Sequence, residues 1–60
     1  MVKEESIRIG NKFIGEINKK IFTIIGFKND NGIKFILLES EGNKIYIEYN
    51  MFKHLLLKEV

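Results

Sequence analysis

An Asn-Gly pair between two apolar runs constrains this 60-residue chain more than any other feature. Asn31 and Gly32 follow the apolar run 21–27 and precede the run 33–38. Asn-Gly accepts the positive φ angles that a tight hairpin turn requires, and the Ile, Phe and Thr residues around it favour strands. The sequence therefore predicts an antiparallel hairpin that turns at residues 29–32.

Both sides of this hairpin are predicted to be apolar, because alternate residues of a strand point to opposite sides. One set is Ile21, Ile25, Phe27, Ile36 and Leu38, and the other is Phe22, Ile24, Ile33, Phe35 and Leu37. Neither set has the polar alternation of a sheet with one face in water. We therefore expect the sheet to curl into a small barrel, with bends at Gly15 and Gly26, or to be covered by a second copy of the chain.

The remaining turn signals complete an all-β meander. Glu41-Gly42-Asn43 predicts a second hairpin turn, and Asn18-Lys19 a weaker third one. The predicted strands cover about 12–17, 20–28, 33–40 and 44–49. After Asn50 the chain fits a helical turn or a strand, and we favour one helical turn followed by a fifth strand. The charged segment 1–6 is predicted to be loose.

Composition predicts a single domain over residues 1–60 that has no cofactor. Cys and Pro are absent and His54 is the one histidine, which excludes a disulfide framework and a Cys-based zinc site. The N-terminus is charged where a signal peptide would be apolar, so we expect a cytoplasmic protein. No apolar run approaches the roughly 20 residues that cross a bilayer, so no membrane association is expected.

The order of these features resembles small SH3-like (Src-homology-3-type) barrels. The pattern is Gly10-x-x-Phe13, then Phe22-x-Ile24, the Asn-Gly hairpin, a second hairpin and Phe52 before the last strand. It is most similar to the short barrels of low-GC Gram-positive bacteria and of their phages or mobile elements. The resemblance implies a barrel of four to five antiparallel strands. It also implies a binding module for peptides, proteins or nucleic acid, without assigning a functional residue.

Catalytic equipment is not indicated by the titratable residues. A pair of acid-base carboxylates would have to come from Glu16, Glu39, Glu41 and Glu48, which are better interpreted as solvated charges along strand edges. His54 has no second His or Cys to form a metal site, and neither serine has a base beside it in the sequence. We predict that the protein is not an enzyme and has no small-molecule substrate.

Two binding functions remain. A protein partner, or a second copy in a homodimer, would contact a patch that includes Phe27, Tyr46, Tyr49 and Met51, although Tyr49 and Met51 could instead close one end of the barrel. The alternative is nonspecific nucleic-acid binding by a basic hairpin face. Its candidate residues are Lys19, Lys20, Lys28 and Lys34. With ten Lys and Arg against eight Asp and Glu, the net charge of +2 does not decide between them.

Overall fold

A computed structural model describes residues 2–60, which form one antiparallel sheet with a short helix. A 3₁₀ turn, Glu4–Ser6, precedes the sheet. The elements that follow are β1 (Lys12–Gly15), β2 (Ile21–Asp30), β3 (Ile33–Ser40), β4 (Asn43–Glu48), helix α1 (Tyr49–Lys53) and β5 (Leu57–Glu59). Their hydrogen-bonded order is β4-β3-β2-β1-β5. The predicted all-β meander and the helical turn before the last strand are confirmed, whereas the sheet is not closed into a ring.

Two hairpin turns adopt the backbone that their sequence predicts. Asn31 and Gly32 have φ angles of 52° and 81°, and the flanking residues Asp30 and Ile33 are paired. Glu41 and Gly42 repeat this arrangement with φ angles of 54° and 83°. Two consecutive residues with positive φ define the two-residue turn that matches the twist of antiparallel strands.

A β-bulge at Ile25 changes the predicted faces of the hairpin. The register between β2 and β3 shifts between Ile24 and Gly26, so Ile24 pairs with Leu38 while Phe27 pairs with Ile36. Ile24 therefore lies on the same side as Ile36 and Leu38. The predicted assignment was wrong for residues 21, 22 and 24, because one extra residue exchanges the two sides of a strand.

The core lies on one face of the sheet. Its buried residues are Val2, Ile7, Phe13, Ile24, Ile36, Leu38, Phe52 and Leu57. The rings of Phe13 and Phe52 meet edge to face at 5.4 Å, so α1 closes the core against β1. We call this covered side the inner face, and the opposite side, which carries Phe35 and Leu37, the outer face.

The outer face is partly wet, so the expectation that both sides exclude water was wrong. Phe35 and Leu37 are half-buried, and Tyr46 is 52% exposed. Lys28 and Glu39 lie on this face and supply polar groups. The predicted faces had considered the apolar residues of the hairpin alone. A sheet whose second face mixes charges and half-buried apolar groups does not need a second layer.

The N-terminal segment is anchored, contrary to the prediction that it is loose. Val2 is buried, its N–H donates to the carbonyl oxygen of Lys53 at 3.3 Å, and Glu4 lies 3.8 Å from the Lys53 ammonium. The prediction for Met1 lies outside the described residues. No helix within residues 2–60 is both long enough and apolar enough to cross a membrane.

Candidate interaction surface at the edge strand β4

In the described part of the chain, strand β4 lies at the margin of the sheet and pairs with β3 alone. The two-residue turn at Glu41-Gly42 makes Ser40 and Asn43 a hydrogen-bonded pair, and the bonded and non-bonded pairs then alternate along the hairpin. The main-chain N–H and C=O groups of Lys44 and Tyr46 consequently point away from β3. Within residues 2–60, no main-chain hydrogen bond from a turn, loop or cap reaches them.

The side chains of β4 are poorly covered for a strand this apolar. Ile45 on the inner face is 48% exposed, and Tyr46 on the outer face is 52% exposed. The strand has neither proline nor a bulge in its pairing with β3. Lys44 and Glu48 are the only charges on it, and an edge of this kind can accept a further strand.

The predicted protein-binding residues divide between the two faces. Phe27, which is 37% exposed, and half-buried Tyr49 come together on the inner side, where the Lys34 ammonium lies 5.1 Å and 4.6 Å from their ring centres. Tyr46 lies on the outer face beneath the Lys28 ammonium, at 4.5 Å. Met51 is 59% exposed on α1. The four residues therefore do not form one patch.

Tyr49 is held in place at one end of the fold. Its side chain packs against the core. Partial burial, and then the negative charge of Glu4 and a hydrogen bond to it, raise the pKa of the Tyr49 phenol. Tyr49 thus fits the interpretation that it closes the end of the fold, while Met51 remains available at the surface.

The four predicted nucleic-acid-binding lysines also fail to form one face. Lys19 and Lys20 belong to the turn between β1 and β2, where Lys20 lies 4.0 Å from Glu41. Lys28 and Lys34 flank the opposite end of the β2–β3 hairpin, roughly 25 Å away at about 3.3 Å per residue. Lys28 is paired with Phe35 and Lys34 with Asn29, so these two side chains leave opposite faces.

A cavity of about 530 Å³ lies between the N-terminal segment, β1 and β5. Its charged lining includes Lys3, Glu16, Lys19, Lys58 and Glu59. The Ser6 hydroxyl donates to Glu59 at 2.7 Å. Three lysines and two glutamates line the cavity, so its charge is close to balanced and favours no strongly charged ligand. Across residues 2–60, no group of three or more His, Cys, Asp or Glu side chains is placed to hold a metal ion.

Comparison with known proteins identifies no relative. No protein-family model, curated protein or solved structure matches the chain. The resemblance to SH3-like barrels therefore stays a prediction.

Most of the β4 edge was not predicted from the sequence. Tyr46 was selected as an aromatic side chain and Glu48 was interpreted as a solvated charge at a strand edge, whereas Lys44 and Ile45 were assigned no role. The available signal was the two-residue turn at Glu41-Gly42. A turn of this length fixes which residues of β4 bond to β3 and therefore which main-chain groups point outward. That signal becomes informative only when the strand order shows that nothing lies beyond β4.

Proposed function

We propose that this protein is a non-catalytic interaction module that joins protein chains by adding a strand to the free edge of β4. The observation that carries the proposal is the outward main chain of Lys44 and Tyr46 on an edge strand whose neighbouring side chains are half exposed. In strand addition, main-chain hydrogen bonds supply affinity and the alternating side chains supply specificity. Here an added strand would meet Lys44 and Tyr46 on one face and Ile45 and Ile47 on the other.

We also propose that the fold is a partly open SH3-like barrel. Three features support this assignment. The last strand returns to lie beside β1, the bulge at Ile25 gives β2 a point at which to bend, and a short helix precedes the last strand. A barrel that stays open between β4 and β5, the two ends of the strand order, leaves the edge of β4 available at the opening.

Selection from a random peptide library displayed on phage tests the function. The bait is the chain immobilised at low density, so that its copies do not meet. We expect enrichment of peptides in which apolar residues alternate with charged ones. No enrichment on the wild-type chain would remove the proposal.

The matched variant for this selection is Tyr46→Pro. Proline at this position removes an N–H that points outward and leaves the bonds to β3 in place, which edge strands tolerate. The enriched peptides should lose binding to the variant while its cooperative thermal unfolding is retained. If the variant is unfolded, Lys44→Pro removes the neighbouring outward N–H and serves instead. Peptides that bind a folded variant as well as they bind the wild type would contradict the proposal.

The nucleic-acid alternative is favoured by one observation. In the described part of the chain, neither Lys28 nor Lys34 has an acidic partner within 4.0 Å. Against it, their ammonium groups already lie over the rings of Tyr46, Phe27 and Tyr49, where bases would stack. Titration of a single-stranded oligonucleotide at several salt concentrations separates the two functions, because phosphate binding weakens steeply with salt. Tight, salt-sensitive binding would favour the alternative.

A further inference from the structure

We propose, on the basis of the strand-addition function above, that the strand added to β4 is β4 of a second copy. The two strands would run antiparallel about a two-fold axis that passes beside Tyr46. The sheets of both copies would then continue into one another with their inner faces on the same side. An interface of this kind is isologous, so each copy uses the same surface and association stops at two.

The main chain of β4 permits this register. In an antiparallel ladder, residues whose N–H and C=O groups point toward the partner lie opposite each other as hydrogen-bonded pairs. Lys44 and Tyr46 have such outward groups, and their spacing of two residues allows Tyr46 to lie opposite Tyr46 of the second copy. A shift of one residue would place inner-face side chains on the outer face, so it is disfavoured.

The side chains of β4 are complementary in the same register. Lys44 faces Glu48 of the second copy, and Glu48 faces its Lys44, so one opposite-charge pair flanks Tyr46 on each side. On the inner face, Ile45 faces Ile47 of the second copy and adds apolar contact at a side chain that is 48% exposed in the single chain. Opposite charges and apolar pairs directly across a ladder both stabilise it.

Neither the neighbouring register nor the other free edges offer the same match. A shift of two residues places Lys44 opposite Tyr46 and leaves the charge of Glu48 without a partner. At the far margin of the sheet, β5 (Leu57–Glu59) pairs with β1 alone among the described residues, and three residues are too few to place a charge pair and an apolar pair on each side of an axis.

The part of β2 beyond Ile24 also has a free edge, because it pairs with β3 alone within residues 2–60. Two copies paired there about Phe27 would place Lys28 opposite Gly26. Pairing about Asn29 would place Lys28 opposite Asp30, but it would also place Phe27 opposite the turn residue Asn31. Charge pairs and apolar pairs therefore occur together at β4 paired about Tyr46.

The contact is small, which determines the concentration at which it forms. Standard interfaces bury about 800 Å² on each partner, and the whole chain exposes 4293 Å². Six residues of one edge cover less than such an interface. We expect a reversible dimer in the micromolar to millimolar range, which sedimentation velocity over a concentration series detects.

Charge exchange tests the register. Lys44→Glu places two carboxylates opposite each other at both ends of the contact, and we expect dimerisation to weaken about tenfold or more. The double variant Lys44→Glu/Glu48→Lys restores both pairs and should recover dimerisation. Glu48 also accepts a hydrogen bond from the Met51 N–H at 3.2 Å, so the double variant should unfold more easily than the single one. Recovery of the dimer despite lower stability is a result that a general folding defect does not produce.

A cysteine crosslink tests the axis. The chain has no Cys, so Tyr46→Cys introduces a single thiol. Cα atoms in a hydrogen-bonded antiparallel pair are about 5.5 Å apart, within the range of about 4.4–6.8 Å that a disulfide spans. We expect rapid crosslinking under mild oxidation. The matched control Ile33→Cys places the thiol on a similarly exposed apolar residue beside the other hairpin turn and should crosslink slowly.

Each remaining outcome decides between the proposals. A chain that stays monomeric at about millimolar concentration overturns the dimer. If that monomer still selects peptides whose binding is abolished by Tyr46→Pro, strand addition stands with a different partner. If it selects no peptides, both proposals fall. A dimer that is abolished by Leu37→Thr would be joined through the outer face and would overturn the β4 register. Faster crosslinking of the Ile33→Cys control than of Tyr46→Cys would overturn it as well.

Discussion

Glu41 is expected to destabilise the native fold, and its replacement by Asn should stabilise it. It occupies the first central position of the β3–β4 turn with a φ angle of 54°. A left-handed backbone costs an ordinary L-residue roughly 1–2 kcal/mol, whereas Asn adopts it more readily and Asn-Gly is the preferred pair for this turn. The other hairpin turn, Asn31-Gly32, already has that pair.

The charge of Glu41 contributes little against this gain. Its carboxylate lies 4.0 Å from the Lys20 ammonium, with side chains 66% and 53% exposed. Exposed ion pairs of this kind contribute about 0–1 kcal/mol, with most values near the lower end. We therefore expect Glu41→Asn to raise the free energy of unfolding by about 0.5–1 kcal/mol. For a chain of this size that corresponds to roughly 2–8 °C in Tm.

Thermal and urea unfolding of three chains measure the effect at concentrations low enough to keep the protein monomeric. Glu41→Gln is the matched control, because it removes the charge and retains the unfavourable backbone. We expect the order of stability to be Glu41→Asn above wild type, and wild type equal to or slightly above Glu41→Gln. If the Asn variant is no more stable than the Gln variant, backbone strain at this turn is not what limits stability and the reasoning is refuted.

Three further predictions concern the core, a close contact and the alkaline limb of stability. Phe52→Ala should lower the free energy of unfolding by about 3–5 kcal/mol, because Phe52 is fully buried against Phe13, and urea unfolding should find the chain mostly unfolded. Gly15→Ala should be destabilising because the added methyl group would collide with the Asn18 side chain, and Asn18→Gly in the same chain should restore most of the loss in Tm. The raised pKa of Tyr49 means that the folded state favours the neutral phenol, so its contribution is complete below pH 10.0 and is lost as pH rises through the folded pKa. Tyr49→Phe should therefore flatten the alkaline decline in stability, and Glu4→Gln should lower the pKa measured for Tyr49 by ultraviolet absorbance.

The turns and strands of this fold were predictable because their signals are local. Asn31-Gly32 and Glu41-Gly42 set both hairpins, and the observed strands differ from the predicted ones by at most two residues at either end. The bulge at Ile25 was not predictable. An extra residue in a strand shows in the sequence as a break in the alternation of apolar and polar residues, and β2 has apolar residues on both sides, so it has no such alternation to break. The resulting error in faces followed directly, since one residue of slip exchanges the two sides.

The interaction surface depends on information that is not local. Whether Lys44 and Tyr46 present free main-chain groups depends on where β5 adds to the sheet, and β5 pairs with β1, at the far margin from β4. Side-chain chemistry alone therefore selected Phe27 and Tyr46 together, although they lie on opposite faces. The four lysines predicted to bind nucleic acid do not share one face for the same reason, because residues that are close in the sequence lie at different ends of one long hairpin.

The way in which the two faces of the sheet are covered also indicates where a second copy would bind. Because both sides of the hairpin were predicted to be apolar, a partner stacked on one face of the sheet was expected. Instead α1 and the N-terminal segment cover the inner face, and the charges of Lys28 and Glu39 keep the outer face compatible with water. What remains without a protein partner, within residues 2–60, is therefore the outward main chain of Lys44 and Tyr46 at the margin of the sheet, and not an apolar face. Edge pairing satisfies those groups, and the opposite charges on β4 limit it to one register instead of open-ended association.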